Sequence, residues 1–219
     1  MFDKNTFIFF YHILESFLNL YMLYWNCIYD EALYLLQNFC YLTVLTHTLV
    51  CLYCLMALDY DFQYLKMKHS GLKSRYPSHI HTLFQLIQGL GAVVMLTYWG
   101  LRLFKPDFLF PEGYSWTPEV LSSYLHGGNY AFLAMELGLY ENKVYLTRIG
   151  KFKAFSMVIV VYMAIQAFHR EVYGYHIYPF LEKLGYGDLV MFYGTLFTIC
   201  VSWDIAFCGV FIKKNEGIR

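Results

Sequence analysis

YLTVLTHTLVCLYCLMALD, residues 41–59, carries no charged side chain before its last residue, Asp59. A spanning helix needs roughly 20 mostly apolar residues. The stretch reads as the body of a transmembrane helix, placed at 39–58. Its polar members are grouped: Thr43, Thr46 and His47 share one face by their i, i+3, i+4 spacing.

The rest of the chain agrees with that reading. Its 219 residues are 58% hydrophobic and 21% aromatic, and only 15% are charged. Soluble domains usually carry about a quarter charged residues, and mean hydropathy here is +0.41. Five further runs, at 7–27, 80–101, 118–140, 152–170 and 188–212, are long and apolar enough to cross a membrane. The expected fold is all-α, a polytopic membrane bundle of six transmembrane helices forming one domain over 1–219. Formal net charge is zero, so no basic patch argues for a nucleic-acid partner.

The first run begins after Lys4, lacks a small-residue cleavage site and contains His12, Glu15 and Asn19. It reads as a retained helix, not a signal peptide. The six cysteines, at 27, 40, 51, 54, 200 and 208, lie in or beside apolar runs. That is neither a disulfide framework nor a zinc spacing. Cys51 and Cys54 form a CxxC inside a helix and read as packing residues. No N-x-S/T acceptor is present.

Orientation follows the positive loops. The second loop holds Lys66, Lys68, Lys73 and Arg75; the fourth holds Lys143, Arg148, Lys151 and Lys153; the tail holds Lys213, Lys214 and Arg219. The first loop holds Asp30 and Glu31 and no cation. Even-numbered loops and both termini are therefore expected on the cytoplasmic side. Trp25, Trp99 and Trp116 then fall at the opposite interface, as aromatic-belt residues do.

An ionised group at a helix centre costs roughly 2.5–3.5 kcal/mol on the insertion scale and usually faces the bundle interior. The polar residues so flagged are His12, Glu15, His47, His126, Glu136, His169 and Asp204. Of these, His12, Glu136 and His169 lie near helix ends, where an interfacial position accounts for them. Thr43 is expected about 6 Å and His126 about 12 Å from the non-cytoplasmic side at 1.5 Å per residue. Thr43, His47 and His126 thus fall in one leaflet, with Glu136 near the opposite face.

A hydroxyl beside a neutral histidine is the minimum for nucleophilic acyl transfer. The blander account is a threonine bonded to its own i−4 carbonyl and a histidine bridging two helices. Gly127 and Gly128, after His126, would let another helix or a lipid approach closely. Gln85 and Gln88 are candidate lining residues, not catalytic ones.

Three stretches carry a family resemblance. They are YLTVLTHTLVCLYCLMALD itself; YLHGGNYAFLAMEL (124–137), where His126 stands ten residues before Glu136; and HIYPFLEKLG (176–185). In these the chain resembles the androgen-induced and androgen-dependent TFPI-regulating membrane proteins, the FAR-17a-like group. The resemblance implies an intramembrane threonine hydrolase cleaving fatty acid esters of hydroxy fatty acids, in an endomembrane or the plasma membrane, with an organelle inner membrane still open. It implies Thr43 as nucleophile and His126 as general base, without a cofactor. His47 and Asn129 are candidate supporting residues. The implied partners are membrane lipid and a lipid ester.

The chain departs from the family pattern in three places. Ser123 stands where an earlier histidine is usual, and Gly127 and Gly128 replace hydroxyl residues. A second register would pair His126 with that earlier histidine and leave Asn129 at the catalytic place. The alternative is therefore a catalytically inactive family member serving as a subunit of a larger membrane assembly. Haem ligation by His47 and His126 lacks any haem-family motif. No dense histidine box supports a di-iron site, and the lone pair His79 and His81 reads as solvated or interfacial.

Overall fold

A computed structural model describes residues 4–29, 40–66, 77–105, 122–139 and 148–216. The described residues form six α-helices and no strand. Helix α1 is Lys4–Tyr29, α2 Leu42–Lys66 and α3 Ser78–Phe104. A π turn, Tyr124–Gly128, leads directly into α4, Asn129–Leu139. Helix α5 is Arg148–Tyr173, a 3-10 turn covers Pro179–Lys183, and α6 is Tyr186–Glu216. Five helices, all but α4, are long and apolar enough to cross a membrane. The protein is an integral membrane protein.

Helix α1 shows why lipid must lie outside. His12, Glu15, Ser16 and Asn19 recur at i, i+3, i+4 and i+7 and are all buried, whereas Phe10, Phe17, Tyr21 and Tyr24 are exposed. In a surface helix of a soluble protein the buried stripe is the apolar one. Here the stripe is inverted, as expected where the surrounding solvent is hydrocarbon and polar groups turn inward.

Helix α3 is central. Its neighbours include α2, α4 and α6, and 67% of its apolar window is buried against 17% for α6. One apolar cluster joins Val50, Tyr53, Ile80, Phe84 and Leu133 between α2, α3 and α4. A second joins Leu90, Val93, Phe155, Ile159 and Leu196 between α3, α5 and α6. Gly89 makes the second contact possible: a Cβ there would stand 2.6 Å from the Phe155 ring and 3.3 Å from the Cys200 carbonyl.

Several expectations change. Helix α2 starts at Leu42, not 39, and continues to Lys66, past the end of the apolar run at 58. This extension carries Asp61 into the interior, fully buried. Lys151, read as a loop cation, stands in the opening turns of α5, and its Nζ donates to Asp204 Oδ2 at 2.5 Å. His12, Glu136 and His169 are fully buried inside the protein, and His81 is buried as well. Cys51, Cys54 and Cys200 are free thiols. Lys68, Lys73, Arg75, Lys143, Asp30, Glu31, Trp116 and Arg219 lie outside the described residues, as does the expected helical stretch 118–121.

Candidate functional site

The start of α2 and the π turn before α4 meet α3 at two adjoining cavities. Thr43, Val94 and His126 line both. The larger, about 60 Å³, is otherwise aromatic and aliphatic, with Tyr98, Tyr162, Tyr178, Phe180 and Phe192 in its wall. The smaller, about 10 Å³, is lined by Thr46, His47, Asn129 and Tyr130. It has room for about one water. The YPFLE segment of HIYPFLEKLG, residues 178–182, thus supplies Tyr178 and Phe180 to the apolar side of the same site. Tyr178 also accepts a 3.1 Å hydrogen bond from the Leu42 N–H, tying this segment to the first turn of α2.

The two histidines of the site differ in what their nitrogens are doing. His126 Nδ1 is 2.7 Å from the Ser122 carbonyl oxygen. A carbonyl only accepts, so Nδ1 carries the proton and Nε2 keeps its lone pair. The ring lies on Tyr98, centroids 3.7 Å apart. His47 is engaged on both sides. Its Nε2 donates to the Asn19 carbonyl at 3.0 Å, and its Nδ1 accepts from the Asn129 amide at 3.0 Å. Of the two, His126 is the one whose geometry leaves a basic nitrogen available.

The glycines after His126 have a local cause. A Cβ on Gly127 would stand 3.1 Å from Trp99 Nε1, and one on Gly128 would stand 2.9 Å from the Tyr124 ring. The close neighbours are a side chain of α3 and a residue of the same π turn. π turns recur at functional sites because they rotate a side chain out of helical register. Here the turn carries His126.

Gln85 and Gln88 are buried but line neither cavity. Gln88 donates to the Leu133 carbonyl at 2.8 Å and so joins α3 to α4. His169 donates from Nδ1 to the Tyr175 carbonyl at 3.1 Å, closing the end of α5.

A second polar centre lies between α1, α2 and α4, ten residues along the chain from His126, a rise of roughly 15 Å. His12 bridges two carboxylates: Nδ1 is 2.6 Å from Asp61 Oδ2, and Nε2 is 3.1 Å from Glu136 Oε1. Tyr53 donates its hydroxyl to the same Glu136 oxygen. The Glu15 carboxylate stands beside them, with neither oxygen hydrogen-bonded. His12, Glu15 and Glu136 were each visible as polar residues in apolar runs, but nothing in their spacing brings them together. Asp61 was missed. Its signal is the period Tyr53, Ala57, Asp61, which places it on the buried face of α2.

No curated protein and no solved structure matches this chain. A family model for FAR-17a/AIG1-like proteins matches residues 7–211, nearly the whole length over which these helices run, and the chain belongs to that family.

Proposed function

We propose that this protein is an intramembrane hydrolase of fatty acid esters of hydroxy fatty acids, with Thr43 as nucleophile and His126 as general base. The observation that carries the reading is that Thr43 and His126 line the same two cavities while the Ser122 carbonyl keeps the His126 proton on Nδ1.

The chemistry runs in two halves. Thr43 Oγ1 attacks the ester carbonyl carbon as His126 Nε2 takes the hydroxyl proton. The tetrahedral adduct collapses, and the departing hydroxy fatty acid takes that proton from His126. The acyl-threonine remains. A water then gives a proton to His126 Nε2 and attacks the acyl carbon. Collapse releases the fatty acid, and the proton returns to Thr43 Oγ1. The small polar cavity suits that water, and the larger aromatic one suits the alkyl chain beside the ester.

Thr43 stands in the first turn of α2, where backbone N–H groups have no carbonyl four residues back within the helix. The Thr43 and Val44 N–H groups are the candidate donors for the oxyanion. Such donors commonly contribute about 3–4 kcal/mol each.

The test is turnover of a fatty acid ester of a hydroxy fatty acid in membranes carrying the parent, Thr43→Ala or His126→Ala. Each variant is expected to lose about a hundredfold or more at unchanged expression. A parent without turnover favours the second reading, a silent family member within a membrane assembly. The observation on that side is the size of the larger cavity, about 60 Å³, well below the roughly 300–1,000 Å³ usual for small-molecule pockets.

A further inference from the structure

The buried cluster of α1, α2 and α4 is rich in carboxylate. Glu15, Asp61 and Glu136 are all 0% exposed and surround one imidazole, that of His12, also at 0%. Were Glu15 and Glu136 both ionised, the His12 imidazolium could answer only one of their two charges. Neither Glu15 nor Glu136 meets a lysine or arginine among the described residues. Buried charge of this kind is paired, protonated or bound to a metal.

The donors are arranged for the last of these. One ligand atom from each of His12, Glu15 and Glu136 lies within 4.8 Å of the others. A first-row ion bound at 2.0–2.2 Å holds its ligands no more than about 4.4 Å apart, so a small inward movement of flexible carboxylates closes the set. Three ligand atoms stand ready. Both Glu15 oxygens and Glu136 Oε2 have no hydrogen-bond partner despite full burial. On the far side of the imidazole, Asp61 holds His12 Nδ1 at 2.6 Å. A carboxylate on the remote nitrogen fixes the tautomer and orientation of a metal-binding histidine and raises its basicity.

We infer that His12, Glu15 and Glu136 form a binding site for a divalent first-row metal ion, Zn²⁺ foremost, with Asp61 orienting His12 and Tyr53 holding Glu136. Imidazole with two carboxylates suits Zn²⁺ and its neighbours better than Mg²⁺ or Ca²⁺, which favour all-oxygen sites. The ion displaces the proton between His12 Nε2 and Glu136 Oε1, which leaves to solvent. Its role is to join α1 to α4. It stands apart from the Thr43–His126 cavities, and none of its ligands lines them.

The experiment is metal analysis of untagged full-length protein purified in lipid nanodiscs, with Glu15→Gln, Glu136→Gln, Asp61→Asn and Thr43→Ala beside the parent. The parent and Thr43→Ala are expected to retain about one zinc per chain after desalting, and the two glutamine variants almost none. Asp61→Asn should weaken zinc binding about 10–100-fold. Adding Zn²⁺, but not Mg²⁺, to chelator-stripped parent should raise its melting temperature. A stripped parent that neither binds nor is stabilised by Zn²⁺, Mn²⁺ or Fe²⁺ overturns the site and leaves protons as the neutralising charge. Full zinc retention in a folded Glu15→Gln overturns the ligand assignment. Neither readout depends on ester hydrolysis.

Discussion

The imidazole of His126 lies almost parallel to the phenol ring of Tyr98, centroids 3.7 Å apart and planes 13° apart. Tyr98 restrains the histidine a second way, because its hydroxyl meets Ser122 Oγ at 2.8 Å while the Ser122 carbonyl accepts from His126 Nδ1 at 2.7 Å. Ring face and hydroxyl thus fix both the plane and the tautomer of the proposed base. Tyr98→Phe keeps the ring and loses only the hydroxyl. Tyr98→Leu loses both. Tyr98 is a positioning residue, so kcat should fall more than KM rises. The expected loss in kcat is about tenfold to a hundredfold for Tyr98→Leu, since small misplacements of catalytic groups cost this much. Tyr98→Phe should stay within several-fold of the parent. Equal losses in the two variants would place the effect in the hydroxyl and not in the stack.

The two histidines of the site should separate cleanly by mutation. His47 has both nitrogens occupied, by the Asn19 carbonyl and the Asn129 amide, whereas His126 keeps Nε2 for chemistry. His126→Gln should cost about 10²–10⁴ in turnover, the usual contribution of a general base. Asn129→Ala should act on stability instead. It leaves His47 Nδ1 buried without its donor, at about 1–3 kcal/mol. Melting curves and turnover per folded molecule distinguish the two effects. If Asn129→Ala abolished turnover at unchanged stability, the polar pair would belong to the chemistry.

Much of this arrangement was legible in the chain and some of it was not. Apolar length located the five helices that are long and apolar enough to cross a membrane, because the bilayer sets that length. The polar residues inside those runs, Glu15, His47, His126 and Asp204 among them, stood out because lipid penalises them. Helical period also put Thr43, Thr46 and His47 on one face. Periodicity stops at the single helix, however. Which stripe of α1 meets which stripe of α4 depends on packing between residues 124 positions apart, as His12 and Glu136 are. The apolar run ended before Asp61, so the helix seemed to end there too. Its continuation to Lys66 rests on the polar interior that Asp61 helps to fill. The glycine pair promised close approach by another helix or a lipid: at Gly127 it is Trp99 of α3 that comes close, and at Gly128 the space is filled by Tyr124 of the same turn.

Glycine substitutions give a test of the small cavity that leaves every polar group in place. Gly91 and Tyr130 both line it, and a Cβ on Gly91 would fall 2.7 Å from Tyr130 Cδ2. Tyr130 is buried and packs edge-on against Trp203, centroids 5.6 Å apart, so its ring has little freedom to retreat. Gly91→Ala should cost about 1–3 kcal/mol through overpacking and slow release of the acyl chain by crowding the proposed water. Gly100, on the same helix, has no atom within 4 Å of its would-be Cβ. Gly100→Ala should be neutral or stabilise by up to about 1 kcal/mol. Accumulation of acyl-enzyme in Gly91→Ala but not in Gly100→Ala, read by intact-protein mass, is the expected pattern.

Tyr178 offers the sharpest test of how the YPFLE segment serves the site. Its hydroxyl accepts the Leu42 N–H at 3.1 Å, one residue before the proposed nucleophile, and its ring meets Tyr41 edge-on, centroids 5.5 Å apart. Tyr178→Phe preserves the ring contact and the cavity wall but removes the acceptor. The Leu42 N–H is in the first turn of α2 and has no intrahelical carbonyl to turn to. Losing its partner should cost about 1–3 kcal/mol. If this bond holds the first turn in position, the Thr43 backbone shifts with it, and kcat should fall by more than the loss of folded protein explains. A stability loss with unchanged kcat per folded molecule would mean that Tyr178 secures the helix end without setting the nucleophile. Tyr178→Leu, which also strips the aromatic wall, should raise KM in addition, because the larger cavity loses surface that an alkyl chain would bury.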